Sequence, residues 1–186
     1  PTIPSWFSEM LPLSFDSGLE ISRFRKMLKE KFNSKKSPKE IKRFIKSHLY
    51  LSSEGIEDSI YDYFYEQHKF LEIPDENLML LEKCRLEGKD YLIFHSMYGR
   101  RVNDALSRAF GFLLGRMGSR DVEIGINDNG FYLAGEAVSE ESFHKALGYL
   151  VNEKGLKEVL ESAIEKTDVL ARRFRHCATR ALMILR

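Results

Sequence analysis

The chain has 186 residues, of which 43% are hydrophobic and 31% charged, enough for one sizeable core or for two small subdomains that share an interface. It contains no run of about 18 apolar residues and no signal-peptide pattern, so we expect no membrane span and no secretion. Its two cysteines, Cys84 and Cys177, lack a CxxC partner, which favours a reducing, cytoplasmic setting and argues against a zinc site. Because the chain begins at Pro1 without methionine and ends within a helical pattern, we expect it to be a piece of a longer polypeptide.

The formal net charge of +1 conceals a strong segregation of charge along the chain. The segment 23–46 has eleven Lys/Arg against two Glu, a net charge of +9. The segment 52–87 has ten Asp/Glu against three Lys/Arg, a net charge of −7, and the segment 100–120 has five arginines against one aspartate, a net charge of +4. Such blocks create surface fields of opposite sign, and the basic ones attract phosphates. We therefore expect the segment 23–46 to be a second phosphate surface, less specific than the one formed by the arginines of the chain's second half.

The N-terminal half is predicted to contain three helices and a β-hairpin. Serines at the helix starts, and a proline after Ser37, are typical N-terminal signals. The helices are predicted from Ser14 to about Phe32, from Ser37 to about His48 and from Ser52 or Ser53 to about Phe70, and the strands from Leu78 to Leu86 and from Tyr91 to Ser96. This is the element order of a winged helix. The third helix has five carboxylates and would repel a phosphate-lined groove, so we expect it to pack on protein.

The second half is predicted to alternate helices with one further hairpin. Asn129-Gly130 lies between two β-like runs and is a strong hairpin signal. The predicted elements are a helix from Gly99 to about Met117, strands 121–126 and 131–134, and helices 139–151, 156–166 and 171–186. The fold class is therefore α+β and helix-rich, with a winged-helix-like N-terminal subdomain (residues 1–96) and a smaller α/β subdomain with hairpins (residues 97–186).

The last predicted helix is the most informative part of the chain. Its apolar arc comprises Phe174, Cys177, Ala178, Ala181 and Leu185. Arg172 and Arg175 lie on the opposite side, with Arg173, His176 and Arg180 beside them. Guanidinium groups about one turn apart suit a polyanion that runs along a helix. An ordinary amphipathic helix with an arginine-rich solvated face has the same pattern, so both interpretations stay open.

Two further features suggest contacts with nucleic acid. In Gly99-Arg100-Arg101-Val102-Asn103, a helix start and two arginines coincide, which favours anion binding. The alternative is that Arg100 and Arg101 brace the two halves through the carboxylates Glu82, Glu136 or Asp104, and we expect one arginine to have each role. Trp6 either packs against a core or stacks on a base.

Catalytic motifs are absent from the sequence. It has no GxxxxGK[ST] loop and no GxGxxG, HExxH or GxSxG motif. His95 and Ser96 are adjacent on a predicted strand and therefore point to opposite faces, and Asp128 is explained by turn chemistry. We therefore expect no metal site and no enzymatic activity from this chain on its own.

Taken together, these stretches resemble the archaeal large helicase-related proteins, and specifically the DEAD/H-associated region that follows the two RecA-like motor domains in superfamily 2 helicases. The resemblance covers essentially the whole chain, and the Gly-Arg-Arg-Val-Asn and Arg-Phe-Arg-His blocks are its most specific parts. Ser8 departs from an expected glycine, and Cys177 replaces a usual aliphatic residue. The similar stretches are 4–14, 21–25, 66–67, 73–75, the run FHSMYGRRVNDALSRAF from Phe94 and the run RRFRHCATRALMILR from Arg172.

The resemblance implies an accessory nucleic-acid-binding and coupling region of an ATP-dependent 3′-to-5′ DNA helicase that acts in repair or recombination. Its partners would be single-stranded or tailed duplex DNA, with an RNA–DNA hybrid left open, and the motor domains of the same polypeptide. ATP and Mg²⁺ would bind those upstream domains. The candidate nucleic-acid-binding residues are Arg100, Arg101, Arg172, Arg175, Arg180 and Trp6. Two alternatives stay open: a purely structural interdomain module, and a base-excision glycosylase-like domain.

Overall fold

The computed structural model describes residues 11–136, 138–165 and 168–183, with the side chains at positions 153, 168 and 169 excepted. Within these residues the chain forms seven helices and four strands, which confirms a helix-rich α+β fold. In chain order they are α1 (Phe15–Asn33), α2 (Pro38–His48), α3 (Ile56–Phe70), β1 (Leu80–Leu86), β2 (Lys89–His95), α4 (Arg100–Gly118), β3 (Glu123–Asn127), β4 (Gly130–Ala134), α5 (Glu140–Leu150), α6 (Glu153–Glu165) and α7 (Asp168–Arg180).

Helix starts follow the serine signals at two of the first three helices. The Oγ of Ser14 accepts a hydrogen bond from the backbone N–H of Ser17, and Ser37 forms a capping box with Glu40. The third helix begins later than predicted, at Ile56 instead of Ser52 or Ser53. Its N-cap is Gly55, whose φ of 87° is left-handed and which has no side chain to cap the helix.

Helices α1 to α3 enclose a small aromatic and aliphatic core. The residues buried in this first core are Leu28, Phe32, Ile41, Ile45, Phe64 and Ile73. The rings of Phe24 and Phe44 stack beside it, with their centroids 5.8 Å apart. Because the buried core positions of α1 (Leu28 and Phe32) and of α2 (Ile41 and Ile45) recur at a four-residue interval, the helical spacing in the sequence accounts for this packing.

The four strands form a single antiparallel sheet in the order β1-β2-β4-β3. Phe94 on β2 pairs with Leu81 on β1 and with Phe131 on β4. One face of this sheet packs against α4, and α5 and α6 pack on α4 to complete the second core. Its buried residues are Leu92, Phe94, Ala109, Phe110, Leu114, Phe131, Leu133, Val138, Phe143, Ala146, Leu150 and Val159.

The sheet corrects the placement of the first hairpin. We predicted that β1 and β2 belong to the helical N-terminal half, but β2 hydrogen-bonds β4, so both strands pack with the second core. The first core extends to Ile73, whereas Met79 already packs against the second. The predicted boundary between residues 96 and 97 falls at the end of β2. The division into two subdomains itself stays a prediction.

Helix α7 ends earlier than predicted, at Arg180. Leu182 has a left-handed φ of 57°, its N–H donates to the carbonyl of Thr179, and the N–H of Met183 donates to the carbonyl of Ala178. This is a Schellman motif, which usually has glycine at the left-handed position, so the sequence shows no stop signal there. None of the helices in the described ranges is both long and apolar enough to cross a membrane.

Candidate nucleic-acid interface

The Gly99–Asn103 block is first of all a structural junction. Gly99 has a φ of 80°, and a Cβ at this position would lie 2.5 Å from the carbonyl oxygen of Leu13. Only glycine fits here, because both the backbone conformation and the close approach of the segment before α1 exclude a side chain. The glycine therefore sets the direction in which α4 leaves the end of β2.

Asn103 ties together the three segments that meet at this junction. It is fully buried, and its Nδ2 donates to the carbonyls of Ser96 at 3.0 Å, Asn127 at 3.2 Å and Asp128 at 3.3 Å. Its Oδ1 accepts a hydrogen bond of 2.7 Å from the Oγ of Ser96. The first turn of α4 is thus fixed to the end of β2 and to the β3–β4 turn, and this holds Arg100 and Arg101 at a defined place.

Arg100 and Arg101 differ in their surroundings. Both are exposed, and the Nε of Arg100 lies 3.6 Å from Oδ1 of Asp128. Oδ2 of Asp128 accepts a hydrogen bond of 3.3 Å from the N–H of Leu13, so Asp128 also anchors the segment before α1. Arg101 has no carboxylate within 4.0 Å in the described part of the chain.

The predicted bracing partners were wrong. Glu82 lies next to His95, Glu136 pairs with Arg120, and Asp104 pairs with Arg108. Arg100 pairs instead with Asp128, which is distant in sequence. Turn chemistry is an incomplete explanation for Asp128, because its carboxylate also contacts Arg100 at the start of α4 and Leu13 in the segment before α1.

Helix α7 presents its cations to solvent. Arg172, Arg173, Arg175, His176 and Arg180 are all exposed. Over the ranges that the structure covers, none of them lies within ion-pair distance of a carboxylate. Among the described elements, α7 packs on α6 alone and does not touch α4. The structure thus brings Arg172, Arg175 and Arg180 together on one helix, and Arg100 and Arg101 together on another.

The apolar arc of α7 is largely uncovered in the described part of the chain. Ala178 is buried, but Phe174 is 65% exposed and Cys177 is exposed. Leu185, the last predicted member of the arc, lies outside the described residues, as does the candidate stacking residue Trp6.

Helix α1 of the basic segment 23–46 is largely neutralised inside the molecule. Nζ of Lys29 lies 2.7 Å from Glu72 and 3.1 Å from Asp75, and Lys26 and Arg23 both pair with Glu76. Although burial raises the pKa of Asp75, hydrogen bonds from the Asn77 backbone and from Lys29 outweigh it and lower that pKa. These cations belong to intramolecular pairs, so the prediction that the whole segment 23–46 forms a phosphate surface was wrong for Arg23, Lys26 and Lys29.

The acidic third helix pairs in the same way with α2. Nζ of Lys42 lies 2.9 Å from Asp58, and Nζ of Lys46 lies 3.7 Å from Glu57. The hydrogen bond with Asp58 raises the pKa of Lys42. Part of the acidic surface that we expected to pack on protein therefore faces the chain's own basic helix α2.

His95 and Ser96 have separate surroundings. Nε2 of His95 lies 3.1 Å from Glu82, whereas the buried Ser96 hydroxyl donates to Asn103. Within the described ranges no group of three or more His, Cys, Asp or Glu side chains is placed to hold a metal ion.

Comparisons with known proteins identify relatives over the whole chain. The family described as DEAD/H associated matches residues 73–186, which include both hairpins and helices α4 to α7. The chain is 48% identical over its full length to ATP-dependent helicase Lhr-Core from Methanothermobacter thermautotrophicus and covers 21% of that protein. It is 43% identical to ATP-dependent helicase Lhr-Core protein 2 from Thermococcus barophilus, again over its full length and 21% of that protein. The chain thus spans about a fifth of the length of these relatives.

The fold is also similar to a solved structure. That structure is of Mycobacterium smegmatis helicase Lhr bound to ssDNA and AMP-PNP, and the TM-score is 0.74 at 20% identity. The similarity covers 98% of this chain and 22% of that one. At this level of identity the likeness concerns the fold.

Proposed function

This chain belongs to the DEAD/H associated family, and we propose that it is the accessory nucleic-acid-binding and coupling region of an ATP-dependent 3′-to-5′ DNA helicase of the large helicase-related type. The two archaeal relatives are named as ATP-dependent helicases and match over the full length of the chain, which supports this proposal. In this proposed role, the chain contacts the DNA strand along which the motor moves, and it transmits force between that strand and the motor domains.

The observation that carries the proposal is the contrast between the two cationic parts of the chain. On α1, cations face carboxylates that lie within 4.0 Å, as structural ion pairs do. On α7, the arginine side chains are exposed, and the described residues offer them no such carboxylate. A guanidinium group can bind two phosphate oxygens at once, and it stays charged at any physiological pH. We infer that Arg172, Arg175 and Arg180 contact the backbone of a single strand, and that Arg101 adds a contact at the start of α4.

The uncovered apolar arc of α7 supports the coupling part of the proposal. Phe174 is exposed on this helix, and Leu182 and Met183 follow it with 79% and 77% exposure. Contiguous exposed apolar surface is usually an interaction site. Because the relatives are named as ATP-dependent helicases and are about five times longer than this chain, we propose that the same polypeptide has RecA-like motor domains and that these cover this arc.

ATP and Mg²⁺ belong to those motor domains in this proposal. The sequence has no GxxxxGK[ST] loop, and the described residues include no cluster suited to a metal ion. The residues that the structure describes therefore form no site that fits either group.

A structural interdomain module is the second candidate, and one observation favours it. Arg100 and Asp128 link α4 to the segment before α1, and the ion pairs of the segment 23–46 are likewise internal. If this were the main role of the arginines, Arg100→Ala and Arg172→Ala would lower the free energy of unfolding and leave DNA affinity unchanged.

The test is the affinity of the full-length protein for single-stranded DNA as a function of salt. The variant replaces Arg172, Arg175 and Arg180 with Gln, and the matched control replaces the ion-paired Arg23, Arg108 and Arg120 with Gln. For every phosphate that an arginine no longer binds, the slope of log K against log salt should fall by about 0.7 on a single strand. We expect a reduction of about 2 in the α7 variant and a much smaller one in the control. Equal slopes in the variant and the wild type would favour the structural module.

A further inference from the structure

We propose that the corner between α1 and α2 is a second nucleic-acid contact, which binds the sugar–phosphate backbone of duplex DNA. The α1–α2 corner comprises Lys31, Lys35, Lys36, Lys39 and Arg43. The inference rests on the proposed function, because it presumes that the chain acts on nucleic acid. It assigns the duplex part of a tailed substrate to one surface and the single strand to α7.

Ten of the eleven cations of the segment 23–46 fall into two sets according to helix face; the eleventh, Arg25, donates to the carbonyl of Pro74 and to the side chain of Gln67 instead. One set faces the carboxylates of the segment 57–76 and is paired with them; it comprises Arg23, Lys26, Lys29, Lys42 and Lys46. The corner set lies away from those carboxylates. A sum of charges along the sequence cannot separate these sets, because neighbours such as Lys42 and Arg43 point to different sides of one helix.

Glu40 is the carboxylate that lies closest to the corner cations, and it is already engaged. Its Oε2 accepts hydrogen bonds from the N–H and the Oγ of Ser37, at 3.1 Å and 2.9 Å. Both hydrogen bonds lower the pKa of Glu40, and the bond from the Ser37 backbone N–H has the larger effect. Its Oε1 lies 3.8 Å from Nζ of Lys36. In the portion of the chain described, no other carboxylate lies within 4.0 Å of a corner cation, so the corner has five positive charges against one negative charge.

The turn between the helices holds these cations on one surface. Lys35 has a left-handed φ of 52°, the N–H of Lys35 donates to the carbonyl of Phe32, and the N–H of Lys36 donates to the carbonyl of Lys31. These two bonds end α1 in a Schellman motif and place the start of α2 directly beside it. A cleft of about 410 Å³ opens there, lined by Lys31, Lys36, Glu40, Arg43, Phe44 and Ser47.

The corner suits a duplex better than a single strand because it offers charge without a stacking surface. Single-strand sites combine cations with exposed aromatic rings on which bases stack. The aromatic ring in this cleft, Phe44, is stacked on Phe24, lies 4.1 Å from the ring of His48, and is covered by Nζ of Lys31 at 4.3 Å. Duplex DNA has one negative charge per 1.7 Å or so of its axis and needs no stacking for non-specific binding.

The experiment measures the salt dependence of binding by the full-length protein to a blunt duplex and to a single strand of equal length. The corner variant replaces Lys35, Lys39 and Arg43 with Gln; all three side chains are exposed. The matched control replaces the paired Lys26, Lys42 and Lys46 with Gln and removes the same formal charge. Circular dichroism of both variants checks that they are folded.

We expect the slope on the duplex to fall in the corner variant by about 0.9 for each phosphate that the protein no longer binds, and thus by roughly 2 to 3 in total. At 0.1 M salt this corresponds to an affinity lowered on the order of 100-fold, whereas the control should stay within about twofold of the wild type. Binding to the single strand should change much less than binding to the duplex.

Three outcomes would overturn the inference. An unchanged slope on the duplex would mean that the corner does not contact phosphates. An equal loss on duplex and single strand would refute the assignment to a duplex. An unchanged slope together with a lowered melting temperature of the full-length protein would show that the corner packs on another part of the polypeptide. The α7 variant decides the proposed function separately, because it is measured on the single strand and leaves the corner intact.

Discussion

Asn103→Ala should be among the most damaging single substitutions in this chain. Asn103 is completely buried and makes four hydrogen bonds, to the Oγ and carbonyl of Ser96 and to the carbonyls of Asn127 and Asp128. Alanine would leave these buried partners without a donor or acceptor and would create a small cavity. A buried polar group left unsatisfied costs about 1–3 kcal/mol, and some of these carbonyls lie near enough to solvent to find water. We therefore expect a loss of about 3–5 kcal/mol, a large part of the typical 5–15 kcal/mol of domain stability.

The assay is denaturant unfolding of the 186-residue chain, followed by circular dichroism. A loss of this size corresponds to a melting temperature lower by about 10–15 °C for a domain of this length. Asn129→Ala is the matched control, since Asn129 lies exposed in the same β3–β4 turn and should change stability by less than about 0.5 kcal/mol. If the free energy of unfolding of Asn103→Ala were within about 1 kcal/mol of the wild-type value, Asn103 would not hold α4, β2 and the β3–β4 turn together.

Three other features of the fold each predict the outcome of a substitution. Gly99→Ala should lower the free energy of unfolding by about 1–3 kcal/mol in the same assay, because its φ of 80° and the carbonyl of Leu13 leave no room for a Cβ; an unchanged value would refute this. Hydrogen bonding to Lys26 lowers the folded-state pKa of Glu76, so the pair's contribution to stability is present above the unfolded pKa of about 4.3 and is lost as the pH falls through the folded pKa. A Lys26→Gln variant should therefore lose less stability than the wild type when unfolding is compared at about pH 6 and about pH 3, and equal losses would contradict the pairing. Phe174→Ser should leave the unfolding free energy of the chain within about 0.5 kcal/mol of the wild type, since this ring is exposed, but it should uncouple ATP hydrolysis from strand displacement in the full-length protein. Normal coupling in that variant would argue against an interface on α7.

The parts of the fold that could be predicted from the sequence are those encoded locally. The capping serines Ser14 and Ser37 begin helices because a side-chain oxygen satisfies a free N–H group of the first turn. Asn129-Gly130 marked the second hairpin correctly but for another reason: neither residue has a positive φ, and Gly130 is needed because a Cβ there would clash with the carbonyl oxygen of Phe94. The end of α7 was missed because Leu182 takes the left-handed position that glycine usually occupies. The pairing of β2 with β4 was missed because it joins strands that are separated by a whole helix.

The candidate site shows the same division between local and long-range information. The exposure of the α7 arginines agrees with the helical spacing of Arg172 and Arg175. The partner of Arg100 could not be deduced, because Asp128 is 28 positions away and is brought near by the fold. The sequence did contain a pattern from which the pairing of the α1 cations could have been predicted: Lys26 and Lys29 are three residues apart and therefore share a helix face. Charge counting along the chain ignores that spacing.

The measurement that bears most directly on the account is the labelling of individual arginines by a guanidinium-selective dicarbonyl reagent, with and without single-stranded DNA, read out by mass spectrometry on the full-length protein. We expect DNA to protect Arg172, Arg175 and Arg180, while Arg116, which is exposed near the end of α4, reacts equally in both samples. Equal labelling of the α7 arginines in bound and free protein, under conditions where DNA binding is saturated, would contradict the account.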